Sequence, residues 1–404
     1  MVTVFLSTMG IGIITPIEPF LVQRYVSSPA SLAVAVGWLG SSYAICSFIA
    51  APGLESLSDR LGRRPVLLIS LLGSALGYLI FGVGGALWVL FLGRIVDGLT
   101  GGNVSTIFAY IGDSIEPEQR GRYYGMLGAT LGTGFIVGPV IGGVVALLGY
   151  TIPLYFAAAI TFANLIWGYF FLPESLQKQN RLQRVSLAQL NPVTQLGTVF
   201  SLPRFRWLLL TSFLFVLPFA ALQATLSLVA KNVLGWNAAA IGVFFLIGGV
   251  SIISQGVLLQ RLQPKLGDAR LMIGGLSFEI LGYLVIASIV LWKSVVPIIV
   301  GTILFAFGDG FVMPSVGGLL SWAADPREQG RIQGANESVQ SLANVIGPFG
   351  GGSMYARFGP AIPYLTCALA VVLAMVSLFV GLPTLRPAIV PGDIPYDDNV
   401  HEVK

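Results

Sequence analysis

Long apolar stretches, separated by short clusters of charge, constrain this chain more than any other feature of its sequence. Charged residues make up 10% of the 404 residues, whereas hydrophobic residues make up 55%. Soluble domains carry about 25% charged residues, so a soluble chain of this composition could not cover its surface with polar groups. Because a helix needs about 20 apolar residues to cross the hydrocarbon core of a bilayer, we expect a polytopic membrane protein.

Windows of that length predict twelve membrane-spanning helices. They cover residues 2–22, 34–54, 66–85, 87–111, 123–148, 152–172, 207–230, 238–260, 271–291, 295–322, 332–356 and 361–383. One connection is much longer than the others and divides the spans into two sets of six. The predicted organisation is an N-terminal bundle (1–172), a cytoplasmic central loop (173–206), a C-terminal bundle (207–383) and a polar cytoplasmic tail (384–404).

The basic residues predict the orientation, because cytoplasmic loops of membrane proteins are enriched in lysine and arginine. With the N-terminus in the cytoplasm, the outer connections carry only Arg24, Lys231, Lys293 and Arg357. The inner connections carry Arg60, Arg63, Arg64, Arg120, Arg122, Lys178, Arg181, Arg184, Arg204, Arg206, Arg261, Lys265, Arg270, Arg327 and Arg331. We therefore expect a multi-pass protein of the plasma (inner) membrane with both termini in the cytoplasm. Met1 lies almost at the edge of the first span, so we expect the natural chain to begin earlier.

The two halves of the chain resemble each other. Pro117–Gly143 aligns without a gap on Pro326–Gly352. The coincident residues are Pro117/Pro326, Gly121/Gly330, Arg122/Arg331, Gly125/Gly334, Gly138/Gly347, Pro139/Pro348, Gly142/Gly351 and Gly143/Gly352. Two repeats of like orientation are typical of transporters whose halves are related by an axis along the membrane normal, with the solute site between them. The predicted fold is all-α, with two six-helix bundles related by a pseudo-two-fold axis.

A compact charged motif connects the second and third spans, and we call it the signature loop. It reads Ser58-Asp59-Arg60-Leu61-Gly62-Arg63-Arg64-Pro65. Gly62 permits a tight turn, and the arginines can pair with carboxylates or with carbonyls at helix C-termini. Asp113 and Glu337, both near the inner ends of their spans, are the candidate partners. We interpret the loop as a latch that stabilises one state of the protein; the alternative is a set of topology-determining arginines.

The fifth span carries a glycine pattern. Gly134, Gly138 and Gly142 lie on one helix face, where a neighbouring backbone can approach closely. Pro139 bends the span, and Gly143 follows Gly142 directly. Ordinary close packing of small residues is the alternative to a functional role.

Charged residues inside spans are costly and mark functional sites. Arg94 and Asp97 are three residues apart on the fourth span and can neutralise each other, either as a structural pair or as a coupling site. Glu279 is about 12 Å from the nearer end of the ninth span, at about 1.5 Å per residue. This depth suits a carboxyl group that exchanges a proton for a cationic solute. Asp309 lies near mid-depth in the tenth span.

Together these motifs resemble the major facilitator superfamily. The signature pattern of that family is matched by Leu57, Asp59, Arg60, Gly62, Arg63 and Arg64, with Glu55 in place of its leading glycine. The stretch from Ala51 to Leu68 is similar to the bacterial tetracycline efflux carriers. The Gly-Pro-x-x-Gly-Gly pattern of the fifth span resembles that of proton-coupled exporters in this superfamily.

The resemblance implies alternating-access export of a small amphiphilic drug or metabolite by proton antiport. It assigns Arg94 to a fourth-span motif linked to proton coupling, and it aligns Glu279 with an intramembrane aspartate of the carriers. Ser7, Gly77 and Ser251 stand where the carriers have two aspartates and a histidine. Because three polar groups of that pocket are missing, a more apolar substrate than tetracycline is expected.

Four further residues in the spans are candidate substrate contacts: Asn103, Gln223, Gln255 and Phe311. The proton gradient, rather than a cofactor, is expected to supply the energy, and no metal site is expected. The expected partners are a small-molecule substrate, protons and lipid, with no nucleic acid, and the chain is expected to act as a monomer. The alternatives are a facilitator or importer without proton antiport and a transport-inactive sensor or scaffold. No in-span histidine and no nucleophile–base pair supports an enzyme.

Overall fold

The computed structural model describes residues 1–101, 104–182, 197, 202, 204–324 and 328–385. Within these residues the regular structure is helical, and they contain no β-strand. The first half contains α1 (Val2–Ile14), α2 (Glu18–Val22), α3 (Pro29–Leu61), α4 (Arg63–Val83), α5 (Leu87–Gly101), α6 (Val104–Ser114), α7 (Pro117–Val145) and α8 (Ile152–Phe171). The second half contains α9 (Arg206–Leu234), α10 (Ala238–Phe244), α11 (Gly249–Ile253), α12 (Gln260–Ala287), α13 (Ile289–Trp292), α14 (Val295–Ala323), α15 (Gln329–Phe358) and α16 (Ile362–Leu385).

Eight helical segments of the described chain are long and apolar enough to cross a membrane. The count is nine if the bent pair of Val2–Ile14 and Glu18–Tyr25 forms one span. One segment, Ala238–Trp292, has 55 residues, which at 1.5 Å per residue is about 80 Å and more than twice the roughly 30 Å of a hydrocarbon core. Gly267, with a φ of 72°, divides this segment, so it contains the two spans predicted there.

Two other predicted spans are not among these eight segments, and their local sequences explain why. The described residues of the predicted span 87–111 lie in α5 and α6, each shorter than a full span. Residues 332–356 lie in α15, whose 30 residues are long enough to cross but include several glycines and polar side chains. Each predicted span therefore falls on helix, and the predicted all-α membrane fold is confirmed.

Helix ends in the first half follow ordinary capping chemistry. Ser28 and Ser31 form a reciprocal capping box at the start of α3, which satisfies backbone N–H groups that a helix start leaves free. This helix has 33 residues, about 50 Å at 1.5 Å per residue, and therefore extends beyond the hydrocarbon core. It ends at Gly62, whose φ of 112° is in the left-handed range, and α4 begins at the next residue. The signature loop is thus a sharp corner at one end of the molecule.

The helices pack in two sets. In the first half, α4 packs on α5 and α8, α3 packs on α5, and α1 packs on α7 and α8. In the second half, α12 packs on α14 and α16, and α9 packs on α15 and α16. The halves meet where α3 packs on α15 and α7 packs on α10. One buried apolar cluster continues through both halves.

The contacts between the halves repeat the internal symmetry of the sequence. A Cβ atom on Gly352 of α15 would lie 3.0 Å from the Cα of Gly37 in α3. Likewise, a Cβ atom on Gly143 of α7 would lie 3.0 Å from the Cα of Gly242 in α10. The two aligned glycines of the repeat therefore make equivalent backbone contacts with the opposite half. We call this end of the molecule the closed end.

At the opposite end the described glycines lack such contacts. A Cβ atom on Gly121, Gly125 or Gly128 of α7 would meet nothing within 4 Å, and the same holds for Gly334 in α15. We interpret this as a cleft between the halves that opens toward the end that carries the signature loop, and we call this the open end.

Candidate functional site

Arg63 is the centre of the signature loop. It is 7% exposed, and its Nε donates to Oδ2 of Asp113 at 3.0 Å. Its Nη1 donates to the Oγ of Ser58 at 2.9 Å and to the carboxylate of Asp59. These contacts join the end of α3, the start of α4 and the end of α6. The predicted partner Asp113 therefore lies beside the loop, within the first half.

The start of the central connection folds back onto the same loop. Oε1 of Glu174 accepts hydrogen bonds from the backbone N–H groups of Arg63 (2.8 Å) and Leu176 (3.1 Å), and its Oε2 is 3.5 Å from Arg181. A Cβ atom on Gly62 would collide with this carboxylate. Gly62 is thus required both by its left-handed φ and by the approach of Glu174. A carboxylate at the first N–H of a helix also stabilises α4.

The other members of the predicted latch differ in their contacts. Arg64 donates to the carbonyl of Tyr169 at the end of α8, whereas Arg60 is exposed. The predicted pairing of Glu337 with the loop arginines is not formed in this state and stays a prediction. Glu337 is exposed and forms no ion pair within the described chain. The charge that acts on it is the carboxylate of Glu55 at the end of α3.

The glycine pattern of α7 faces two different helices. A Cβ atom on Gly134, Gly138 or Gly142 would lie 2.2–2.5 Å from atoms of Thr8, Met9 or Ile13 in α1. Gly143 instead faces α10 of the other half, as described above, and the carbonyl of Pro139 lies against Gly242 of that helix. The motif therefore joins α7 to its own bundle along one face and to the opposite bundle along another.

The first cluster of in-span charge lies within the N-terminal half. Nη2 of Arg94 is 3.4 Å from Oε2 of Glu18, and both residues are buried. The rings of Tyr43 and Phe81 lie 5.6 Å from the guanidinium. The close ion pair of Arg94 is with Glu18 on a neighbouring segment, whereas Asp97 acts on the arginine through its charge without an ion-pair contact. Mutual neutralisation of Arg94 and Asp97 stays a prediction.

Asp97 forms no ion-pair contact within the described chain. It is 1% exposed, and the hydroxyl of Ser74 and the charge of Arg94 act on its carboxylate. A Cβ atom on Gly77 of α4 would lie 2.8 Å from the Cβ of Asp97, so the family's carboxylate position on that helix is filled here by close packing. A cavity of about 30 Å³ lies nearby in the same half, lined by Ser7, Ile11, Leu71, Ser74, Tyr78, Gly101 and Thr161.

The second cluster lies within the C-terminal half. Glu279 in α12 is 0% exposed, and neither of its carboxylate oxygens has a hydrogen-bond partner in the described chain. Asp309 in α14 is close enough to act on it electrostatically. Oδ2 of Asp309 accepts a hydrogen bond of 2.7 Å from the Oγ of Ser251 in α11. Two of the predicted coupling residues, Glu279 and Asp309, are therefore brought together from different helices.

Two glycines set the position of Asp309. A Cβ atom on Gly308 would lie 2.4 Å from the carbonyl of Gly275 and 3.1 Å from the Cγ of Glu279 in α12. A Cβ atom on Gly310 would lie 1.8 Å from the Oγ of Ser254, directly before which α11 ends. Because both neighbours lack a side chain, Asp309 lies between two helices that could not otherwise approach.

The predicted substrate contacts do not form one site in the described chain. Gln223 in α9 is half-buried, and Gln255 is exposed in a π-helical segment, Ser254–Leu259. Phe311 is buried and packs on the ring of Phe307, with a centroid distance of 5.2 Å, so it belongs to the core of this state. Asn103 lies outside the described residues.

Three contacts were not anticipated from the sequence: Glu18 with Arg94, Glu174 with the signature loop, and Ser251 with Asp309. Glu18 and Glu174 both carry a usable signal, because each is a carboxylate directly beside a proline. Ser251 carries a signal of another kind, because it stands where the tetracycline efflux carriers have a histidine. Within the described residues, no group of three or more His, Cys, Asp or Glu side chains is placed to hold a metal ion.

Comparison with known proteins adds a family and a fold. The sequence profile of the Major Facilitator Superfamily matches residues 1–348, with a second match over 265–396. The tetracycline resistance protein of class C from Escherichia coli is 32% identical over 394 residues, which cover 95% of this chain and 94% of that protein. The crystal structure of the human organic anion transporter MFSD10 (TETRAN) has a TM-score of 0.74 at 23% identity, covering 93% of this chain and 97% of that one. The nucleoside transporter NupG has a TM-score of 0.67 at 16% identity, covering 95% of this chain and 99% of that one.

Proposed function

This chain belongs to the Major Facilitator Superfamily, and from that premise we propose that it exports a small amphiphilic drug or metabolite in exchange for protons. Its relatives include tetracycline resistance proteins. Its helical architecture and the apolar lengths of its spans make it a multi-pass membrane protein. We place it in the plasma (inner) membrane with the open end and both termini in the cytoplasm, because the arginine-rich connections lie at that end.

The observation that carries the proposal is the state of Glu279. A carboxylate that is fully buried and has no hydrogen-bond partner is costly to keep charged inside a membrane protein. The neighbouring carboxylate of Asp309 increases that cost, since like charges oppose each other. A site of this kind favours binding a proton or a cation. Exchange of the two at one carboxylate is the chemistry of an antiporter.

The cleft between the halves supports alternating access. In the state described, the cleft opens at the arginine-rich end, so the substrate enters from the cytoplasm. Rocking of the halves then opens the other end and releases the substrate outside. In that second state α15 approaches the signature loop, which Arg63 already holds together through Asp59 and Asp113, and the contact of α15 with this loop acts as the latch.

The loss of charged groups, relative to the tetracycline carriers, supports a substrate with more apolar surface than tetracycline. Ser7, Gly77 and Ser251 replace charged or ionisable groups of the carriers, and Ser251 is already bonded to Asp309. Gln223 and Gln255 remain candidate contacts, and Arg94 with Asp97 remains the reserve coupling site. The proton gradient supplies the energy without a cofactor, and a monomer contains the complete cleft.

The test compares Glu279→Gln with the unchanged protein. A panel of fluorescent amphiphilic dyes is first screened for lower accumulation in cells that make the protein, with and without a protonophore. For a dye that is exported, substrate-evoked proton release is measured on purified protein, and uptake is measured in vesicles with an imposed pH gradient. We expect Glu279→Gln to lose proton release and uphill transport, because glutamine mimics the protonated form and cannot exchange the proton, and to retain binding of an uncharged dye within about threefold.

A matched control is Ser277→Ala, which lies on the same helix, exposed, with its hydroxyl bonded to its own backbone. Unchanged proton release in Glu279→Gln would contradict the assignment of Glu279. Transport that is indifferent to both the protonophore and the variant would instead indicate a facilitator or importer.

A further inference from the structure

Ser251 lies in a membrane helix of the described chain that changes its helical type twice. The five residues of α11 stand between a 3₁₀ segment, Phe245–Gly248, and the π segment Ser254–Leu259. Within a long α-helix, such changes of helical type mark hinges and functional sites. The turn that carries Ser251 can therefore shift without moving the whole span.

This turn contacts both halves of the molecule. On one side, a Cβ atom on Gly248 would lie 3.2 Å from the side chain of Ile136 in α7, and Ile252 lies 3.7 Å from the equivalent position on Gly132. On the other side, the hydroxyl of Ser251 donates to Asp309. A movement of α7 relative to the second half therefore reaches the Ser251–Asp309 hydrogen bond through a single turn.

The two carboxylates of this cluster have unequal surroundings. Asp309 receives one hydrogen bond from Ser251 and is half-buried, whereas Glu279 receives none and is fully buried. The other titratable groups around them are the hydroxyl of Tyr283, on which both acids act, and the hydroxyl of Tyr364 and the thiol of Cys367, which act on Tyr283. Within the described chain, neither carboxylate forms an ion pair with lysine or arginine. Besides the difference in burial, the hydrogen bond from Ser251 is thus what distinguishes Asp309 from Glu279 in the described chain.

Building on the antiport proposed above, we infer that Ser251 is a positioning residue for proton exchange. Its hydroxyl holds Asp309 as the ionised member of the acidic pair, so that the exchanged proton resides on Glu279. When α7 moves during rocking, the turn withdraws the hydroxyl, the two acids become equivalent, and the proton can transfer between them.

The test uses dicyclohexylcarbodiimide, which modifies protonated carboxyl groups in apolar surroundings, and needs no substrate. Full-length protein in lipid vesicles is treated over a range of pH, and mass spectrometry of peptides gives the extent of modification at Asp309 and at Glu279. In Ser251→Ala, the pH midpoint for modification of Asp309 is expected to rise by about one unit, because an ionised carboxylate loses its donor. Ser251→Thr keeps a hydroxyl and should restore the original midpoint, and Ser277→Ala should not change it.

The outcomes separate this inference from antiport itself. Equal midpoints for Asp309 in Ser251→Ala and in the unchanged protein would overturn it, even if Glu279→Gln abolishes proton release. A rise of the Asp309 midpoint that Ser251→Thr fails to reverse would also overturn it, since a structural disturbance would then be the cause. The predicted shift with rescue supports the inference even in a protein that transports without proton release.

Discussion

At the scale of single residues, Arg94 shows how surroundings decide which charges pair. Asp97 is only one helical turn away, yet the guanidinium extends between the rings of Tyr43 and Phe81 toward Glu18. Aromatic faces attract a guanidinium and here direct it away from its own helix. The ion pair therefore joins α5 to the segment that follows α1, where the first span bends by 43°.

This pairing predicts unequal effects for the two carboxylates. Glu18→Gln leaves Arg94 without its partner in a buried site, and breaking such a pair costs about 3 kcal/mol. Asp97→Asn removes a carboxylate that forms no close ion pair in the described chain, so its cost should be much smaller. Thermal unfolding of the purified variants in detergent measures the difference. Equal losses of stability would mean that Arg94 is shared by both acids.

At the scale of helices, the contact of α7 with α1 depends on the absence of side chains. A Cβ atom on Gly138 would lie 2.5 Å from the carbonyl of Met9 and 2.9 Å from the Cα of Gly12. Backbone cannot yield to such an atom in the way that a flexible side chain can, so the two helices would have to separate. The same relation holds in the second half, where Gly347 and Gly351 pack on α9.

We therefore expect Gly138→Ala to destabilise the protein by about 1–3 kcal/mol, the usual cost of overpacking. Gly128→Ala is the matched control, because it makes the same exchange on the same helix where a Cβ atom would meet nothing within 4 Å. The folded yield after membrane extraction and the Tm in detergent are the measurements. If both variants behave alike, the glycine face of α7 does not determine helix packing.

The membrane-spanning helices and the signature loop were predictable from the sequence because they depend on local chemistry. Apolar length determines the spans, and the turn at Gly62 follows from a left-handed φ that glycine adopts without strain. Contacts across the bundle were not predictable. The bond between Ser251 and Asp309 depends on how closely α11 and α14 approach, and the partner of Arg94 depends on its rotamer. The position of Glu337 depends on the state of the cleft, which no local pattern encodes.

At the scale of the whole molecule, the closed end is fixed by direct bonds between the halves. The hydroxyl of Ser41 in α3 donates to the carbonyl of Val345 at 2.6 Å and accepts from the N–H of Phe349 at 3.0 Å. Trp38 packs on Phe349 with a centroid distance of 4.6 Å. Alternating access requires that these contacts break once in every transport cycle.

Locking this end should therefore stop transport. In a chain with Cys46→Ala and Cys367→Ala, the pair Ser41→Cys and Val345→Cys is treated with a short, reducible thiol cross-linker. We expect vesicle transport of the exported dye to fall at least tenfold and to recover when the cross-link is reduced. Each single-cysteine variant, treated in the same way, is the control. Undiminished transport by the cross-linked protein would exclude opening at this end.

The glycine-to-glycine contacts at the closed end also have a kinetic consequence. Gly37 against Gly352 and Gly143 against Gly242 are contacts between bare backbone surfaces, so no side chain interlocks across them. Separating such surfaces requires no change of rotamer at the glycines, whereas the rings of Trp38 and Phe349 must part and the bonds of Ser41 must break in the same step. The activation barrier for parting the halves therefore lies in these few side-chain contacts and not in the backbone surfaces around them.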